Sequence, residues 1–293
     1  MNNEMNPQQR TLESPQYWEA IWNAADESTK AYRIPGVPED AINQTTVYTT
    51  IRTYHRSEGN TRYLRLEKHF ERLNDSLSLE GMTSRVNEPF IRQAIKLVEK
   101  DCAIRGEIRL KILVVAGHPN RCFLISEPLV VPGSDAYQLG ADVFTTRFVR
   151  ENPRVKSYDF VSTQEQIRNA FTEAAEEILM IDEECEILEG LSSNFFGIIH
   201  NVIQTADESI LKGITRQIVL ELISANGLSM DLKPVNMDEI GFLSECFITS
   251  TSRGILPVRS IDQKMIGSGK PGPITRKLMA LFAKEIERLI KPI

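Results

Sequence analysis

Between residues 45 and 125 the spacing of apolar side chains changes period twice, and that change leaves few architectures open to the chain. Thr45–Tyr54 (TTVYTTIRTY) is dense in Thr, Tyr, Val and Ile, which suit a pleated surface, and Arg62–Leu66 alternates as its partner strand. Over Glu67–Leu79 the period lengthens: Phe70, Leu73 and Leu77 fall at helical spacing, and Gly81 follows as a stop signal. A second helix is predicted over Glu88–Lys100, with Pro89 at its start and Ile91, Ala94, Ile95 and Val98 on one face. Strands are expected again at Ile108–Val115 and Arg121–Ile125. The order β, β, α, α, β, β predicts an α+β domain.

The flanks read differently. Met1 to about Pro15 has the polar composition of a disordered tail, followed by a short amphipathic stretch, Tyr17–Ala25. Glu127–Gln138 holds two prolines and a glycine and is the expected interdomain linker. Beyond it, Asp142–Thr146 is read as a strand and Ser157–Glu177 as mainly helix. Short strands follow at Ile178–Ile181, Asn194–Ile199 and Val202–Thr205. A helix is expected from Thr215, a strand near Met230, another at Glu245–Thr249, and an amphipathic helix over Pro273–Ile290. These readings divide the chain into an N-terminal extension (1–30), a small α/β domain (31–130) and a large α/β domain (139–293).

Charge and cysteines exclude several classes. A net charge of -6 over 293 residues leaves no overall field for nucleic acid or an anionic membrane. The four cysteines are scattered, without CxxC spacing, so neither a disulfide framework nor a metal site is expected. The N-terminus lacks the apolar core of a signal peptide, and no apolar run is long enough to span a bilayer. A cytoplasmic protein is expected.

Four short segments carry the chemistry. Lys156 stands between a strand and a helix. A free lysine titrates at about 10.4, so it becomes a nucleophile at neutral pH only when desolvated or set near other cations. Glu189 and Gly190 precede Ser193, Asn194 and a strand. Gly213, Ile214 and Thr215 open a helix, where free N–H groups and the positive dipole end suit an anion. Ser250 and Thr251 offer hydroxyls at the end of a strand. Each has a plain structural reading too: a solvated lysine, a turn acid, a helix cap.

Taken in order, these segments resemble the class IV aminotransferases, the fold-type IV branch of pyridoxal 5′-phosphate (PLP) enzymes. The resemblance runs from about Tyr48 to the C-terminal helix, and its most specific pieces are Glu189-Gly with Ser193-Asn-Phe-Phe, and Leu211-Lys-Gly-Ile-Thr-Arg216. It implies the two-domain fold-type IV PLP enzyme fold, with the cofactor between domains in a homodimer. It implies Lys156 as the Schiff-base lysine and Glu189 as the acid facing the pyridine nitrogen. Gly213, Ile214, Thr215, Ser250 and Thr251 correspond to the phosphate cup, and Arg72, in an HxxRL run, to the phosphate arginine. Leu211 matches a residue packed on the cofactor ring, and Tyr48 is a candidate for substrate contact. His69 is read as structural.

The implied activity is transfer of an amino group between an amino acid and a 2-keto acid. A branched-chain or other apolar donor is favoured, because no carboxylate-binding pair for an acidic side chain is evident. The Tyr48-Thr-Thr strand resembles the Phe-Thr-Thr of some 4-amino-4-deoxychorismate lyases, which keeps that activity as an alternative beside a D-amino acid or (R)-amine transaminase.

Overall fold

The computed structural model describes residues 14–293 apart from residues 58, 84 and 172–174. The expected N-terminal tail, over residues 1–13, lies outside the described residues. The first half of the chain contains β1 (Gln16–Asn23), β2 (Ser28–Ile34), α1 (Glu39–Ile42), β3 (Thr46–Tyr54), β4 (Arg62–Leu64), α2 (Leu66–Leu79), α3 (Glu88–Asp101), β5 (Ile108–Val115) and β6 (Arg121–Pro128). The second half begins with α4 (Ser134–Leu139), β7 (Ala141–Arg147), α5 (Phe160–Ala170), β8 (Glu177–Ile181), β9 (Glu186–Gly190), β10 (Asn194–Ile199), β11 (Val202–Gln204) and α6 (Ile214–Ala225). It ends with β12 (Met230–Asp231), β13 (Val235–Asn236), β14 (Leu243–Ser250), β15 (Gly254–Ile261), β16 (Lys264–Met265), α7 (Pro273–Leu289) and β17 (Ile290–Lys291).

The first sheet is antiparallel, in the order β17-β4-β3-β5-β6-β1-β2. Strand alternation divides its side chains between two faces. Val47 and Ile51 of β3, with Leu110, Ile112 and Val114 of β5, pack against Phe70, Leu73 and Leu77 of α2 and Ile91, Ala94 and Ile95 of α3. The intervening residues Tyr48, Thr50, Arg109 and Lys111 line a cavity on the opposite face.

Residues 16–30, expected within an N-terminal extension, are instead an edge of this sheet. Trp18 and Ala20 are buried at alternate positions of β1, a period of two rather than of a helix. The C-terminus also crosses the expected boundary, since Ile290 and Lys291 of β17 pair with β4.

The second sheet follows the order β12-β11-β10-β14-β15-β7-β8-β9-β13, with β16 on β15. An additional pairing of β9 with β10, through the single register pair Asn194↔Glu189, closes six of its strands into a ring. Val143, Leu179, Ile187, Phe195, Ile248 and Leu256, one from each ring strand, share one core cluster. Alternate residues such as Phe196, Ile198 and Phe247 pack outward with Ile218 and Val219 of α6 and Leu278 and Phe282 of α7. The expected helix over Ser157–Glu177 is shorter, because α5 spans only Phe160–Ala170. The expected linker is partly regular: β6 extends to Pro128 and α4 starts at Ser134. Among the described residues no helix is long and apolar enough to cross a membrane.

Candidate active site

A cavity of about 490 Å³ is lined by side chains from both sheets. All ten residues singled out from the sequence line it: Tyr48, Arg72, Lys156, Glu189, Leu211, Gly213, Ile214, Thr215, Ser250 and Thr251. They come from segments up to two hundred positions apart, brought together where the two sheets face each other.

Lys156 lies in the segment between β7 and α5, which is stitched to the start of β3. The Tyr48 N–H donates to the Lys156 carbonyl at 2.9 Å, and the Tyr158 N–H donates to the Thr46 carbonyl at 2.8 Å. On the other side, the Lys156 N–H reaches Ser76 Oγ of α2 at 3.3 Å. The amine nitrogen is thereby set 4.6 Å from the centroid of the Tyr48 ring. Burial, with Arg72 and Arg150 nearby, pulls the Lys156 ammonium well below its usual 10.5, against the opposing pull of Glu189. The free amine, which is the nucleophilic form, is therefore favoured.

Glu189 is the penultimate residue of β9, at the seam of the ring. Its Oε2 accepts from the Leu211 N–H and from Asn194 Nδ2, both at 3.2 Å, and its Oε1 accepts from Arg150 Nη1 at 3.2 Å. Burial raises the carboxyl to about 7 although Arg150, Leu211 and Lys156 all favour its charged form. Gly190 permits the close approach behind it: a Cβ there would lie 2.3 Å from Ser193 Oγ and 2.8 Å from Glu177 Cγ. Glu177 itself is fully buried. Burial pushes it up, but Arg253 and Arg168 outweigh that and hold it at about 2.

The anion cradle is built from two elements. Gly213 caps α6, and its lack of a side chain lets Asn194 approach, since a Cβ would sit 2.2 Å from Asn194 Oδ1. Asn194 Nδ2 also donates to the Leu211 carbonyl at 2.8 Å, which fixes the turn ahead of the helix. From the second element, Ser250 Oγ accepts from the Arg253 N–H at 3.2 Å, and Thr249 Oγ1 is buried without a partner.

Arg72 is placed to receive an anion. It is 8% exposed, its Nη2 donates to Thr49 Oγ1 at 2.8 Å, and its Nε is buried without a partner among the described residues. A guanidinium has five N–H donors, and a buried charge left this short of acceptors is expensive unless a ligand supplies them. The cavity wall carries seven Lys and Arg side chains against three Glu, in a chain of net charge -6. These features fit a ligand that carries a phosphate and a carbonyl.

Several contributors were missed in the sequence. Arg150, which follows Phe148 and Val149 just past the end of β7, had no periodic or motif signal. Arg109 and Lys111 of β5 also line the cavity. Two apart on β5, they point to the same face, with Arg109 Nε 2.7 Å and Lys111 Nζ 2.9 Å from the Glu127 carboxylate. Period-two spacing in β5 was the available clue.

Two sheets that enclose a cavity with a half-buried lysine amine, a buried carboxylate and a cationic wall define an enzyme suited to carbonyl–amine chemistry on an anionic ligand. Comparison with known proteins gives the family. The amino-transferase class IV model matches residues 46–261, and the chain belongs to that family. A D-alanine aminotransferase of Bacillus licheniformis is 31% identical over 82% of this chain and 87% of its own length. A branched-chain-amino-acid aminotransferase of Pseudomonas aeruginosa is 27% identical over 80% of this chain and 82% of its own. In fold, the chain is similar to a branched-chain amino acid aminotransferase from Thermobaculum terrenum solved in its PLP form. The TM-score is 0.74 at 23% identity, covering 94% of this chain and 97% of that one.

Proposed function

We propose that this chain is a PLP-dependent aminotransferase moving an amino group between an amino acid and a 2-keto acid, with Lys156 as its reacting amine. The observation that carries the reading is a half-buried lysine and a buried glutamate lining one cavity with an arginine whose Nε is buried without a partner among the described residues. When bound, PLP supplies the aldehyde that takes up the amino group and a ring that delocalises the electrons of the Cα–H bond.

The chain's own residues supply the rest. Arg72, the N-terminal N–H groups of α6, Thr215, Ser250 and Thr251 would hold the phosphate. Glu189, kept in place by Arg150, Asn194 and Leu211, would hold a proton on the ring nitrogen. Leu211 would pack on the ring. Lys156, as a free amine, takes a proton from one side of the reacting carbon and returns it. Tyr48 packs beside that amine and contacts the substrate.

Arg109 and Lys111 support a second reading of the substrate. Both side chains line the cavity while bonded to Glu127, so an acceptor with a second carboxylate would exchange with that partner; a branched-chain or other apolar donor is the first reading. The reading further includes a smaller domain around the first sheet and a larger one around the second, a homodimer, a cytoplasmic location and no nucleic-acid or membrane partner.

Borohydride reduction of the PLP-loaded protein, followed by peptide mapping, is expected to leave the pyridoxyl label on Lys156. The visible absorbance of the bound cofactor is expected to be lost in Lys156→Ala. A label at another lysine, or no label with PLP in excess, sinks the assignment. An acceptor panel with and without keto acid separates transaminase from lyase, since only a lyase turns over repeatedly on one substrate.

A further inference from the structure

Behind Arg72 lies a pair of polar side chains that does not reach the cavity. Thr49 is fully buried and His69 is 2% exposed. Thr49 alternates with the cavity-lining Tyr48 and Thr50 on β3, so it faces α2. His69 and Arg72 are three apart on α2 and share the helix face turned towards that strand. The three side chains form one chain of contacts: Arg72 Nη2 to Thr49 Oγ1 at 2.8 Å, and Thr49 Oγ1 to His69 Nδ1 at 2.7 Å.

Proton counting gives this chain a direction. A guanidinium can only donate, so Thr49 Oγ1 accepts from Arg72. The hydroxyl has a single proton, and in a site closed to water it is satisfied only if it goes to His69 Nδ1. His69 is then neutral and carries its own proton on Nε2. Its surroundings agree, because burial, with Arg72 and Lys156 nearby, drives the imidazole well below its ordinary 6.5. The relay holds Nη2 of Arg72, a residue that lines the cavity and whose Nε is buried without a partner among the described residues.

We infer that Thr49 and His69 are positioning residues that aim the Arg72 guanidinium at the phosphate before the cofactor arrives. The inference rests on the proposed phosphate-bearing cofactor. It ascribes the HxxR spacing on α2 to one helical turn with two duties: the arginine meets the ligand, and the histidine fixes the threonine that fixes the arginine.

The test measures binding to the full-length protein stripped of cofactor. Dissociation constants for PLP and for pyridoxal, which lacks the phosphate, are compared in wild type, Thr49→Val and Thr49→Ser. Loss of a hydrogen bond to a buried cation is expected to weaken PLP binding by about tenfold or more in T49V. Pyridoxal binding stays unchanged, and T49S restores PLP binding to within about threefold of wild type. In an Arg72→Ala background, T49V adds nothing further, because the relay acts only through that arginine.

If T49V retains the wild-type preference for PLP over pyridoxal, or weakens both ligands equally, the relay is overturned while the cofactor reading stands. If wild type itself shows no preference for PLP, the cofactor reading falls and the relay with it. A second measurement needs no variant to fold: long-range ¹H–¹⁵N NMR of the wild type, which has four histidines. His69 is expected to show an unprotonated Nδ1, and a protonated Nδ1 overturns the relay.

Discussion

Replacing Glu189 by glutamine keeps the shape of a buried side chain and removes its titration, and the effect on the cofactor-free protein follows with its sign. Burial holds this carboxyl at about 7 against an ordinary 4.5. Between those values the folded chain keeps a proton that the unfolded chain has released. Stability is therefore lost as pH rises through that window: the penalty is absent below the unfolded value and complete above the folded one. At about 1.4 kcal/mol per pKa unit, the full penalty is about 3 kcal/mol. Urea unfolding of the apo-proteins, followed by far-UV circular dichroism at about pH 5 and about pH 8, is expected to show wild type losing about 2–3 kcal/mol relative to E189Q. The coupled amine can be removed with Lys156→Ala in both proteins. The gap is then no smaller, because Lys156 is one of the groups that pull this carboxyl down. Equal stability differences at the two pH values, or a wild type that gains on E189Q as pH rises, would refute the reasoning.

Other outcomes follow from the same geometry. In Gly213→Ala the new Cβ would meet Asn194 Oδ1 at 2.2 Å, at an unstrained backbone φ of -64°. Asn194 must retreat and lose its bonds to Leu211 and Glu189, so thermal unfolding should reveal a loss of about 2 kcal/mol and PLP titration a weaker site. Arg150→Leu removes the leading charge that opposes burial at Glu189, so the pH midpoint of PLP binding should move upward by about one pKa unit or more. If Arg109 and Lys111 receive a distal carboxylate, Lys111→Met should raise KM for 2-oxoglutarate about tenfold and leave KM for 4-methyl-2-oxopentanoate within about twofold. Equal changes in the two would remove that role.

What could be read from the chain divides along physical lines. Long periodic segments were legible: α2, α3 and α7 carry apolar faces over several turns, and β3 and β5 are rich in β-branched residues. The Lys156, Glu189 and Gly213–Thr215 segments were legible through their ordered resemblance to the class IV aminotransferases, since each alone also fits a solvated lysine, a turn acid or a helix cap. The shorter strands were harder. β9 is EILEG, five residues in which a buried glutamate stands where an apolar residue would signal a strand. β1 and β2 hold their place by pairing with β6 and with each other, which no local window reports. Arg150, and the pairing of Arg109 and Lys111 on Glu127, depend on contacts between distant segments. A charged residue that is buried by tertiary structure looks, in sequence, like any charge in solvent.

The join between β9 and β10 has a consequence for the design space of this protein. The cylinder wall is sewn shut by one residue pair, and those two residues, hydrogen-bonded to each other, also line the cavity that is proposed to hold the cofactor. Ligand affinity is thus a gauge of whether the wall is intact. A circular permutant cut within residues 191–193 puts the two halves of the stitch on opposite chain ends, and its hold on PLP would report how well the cylinder closes without a covalent thread.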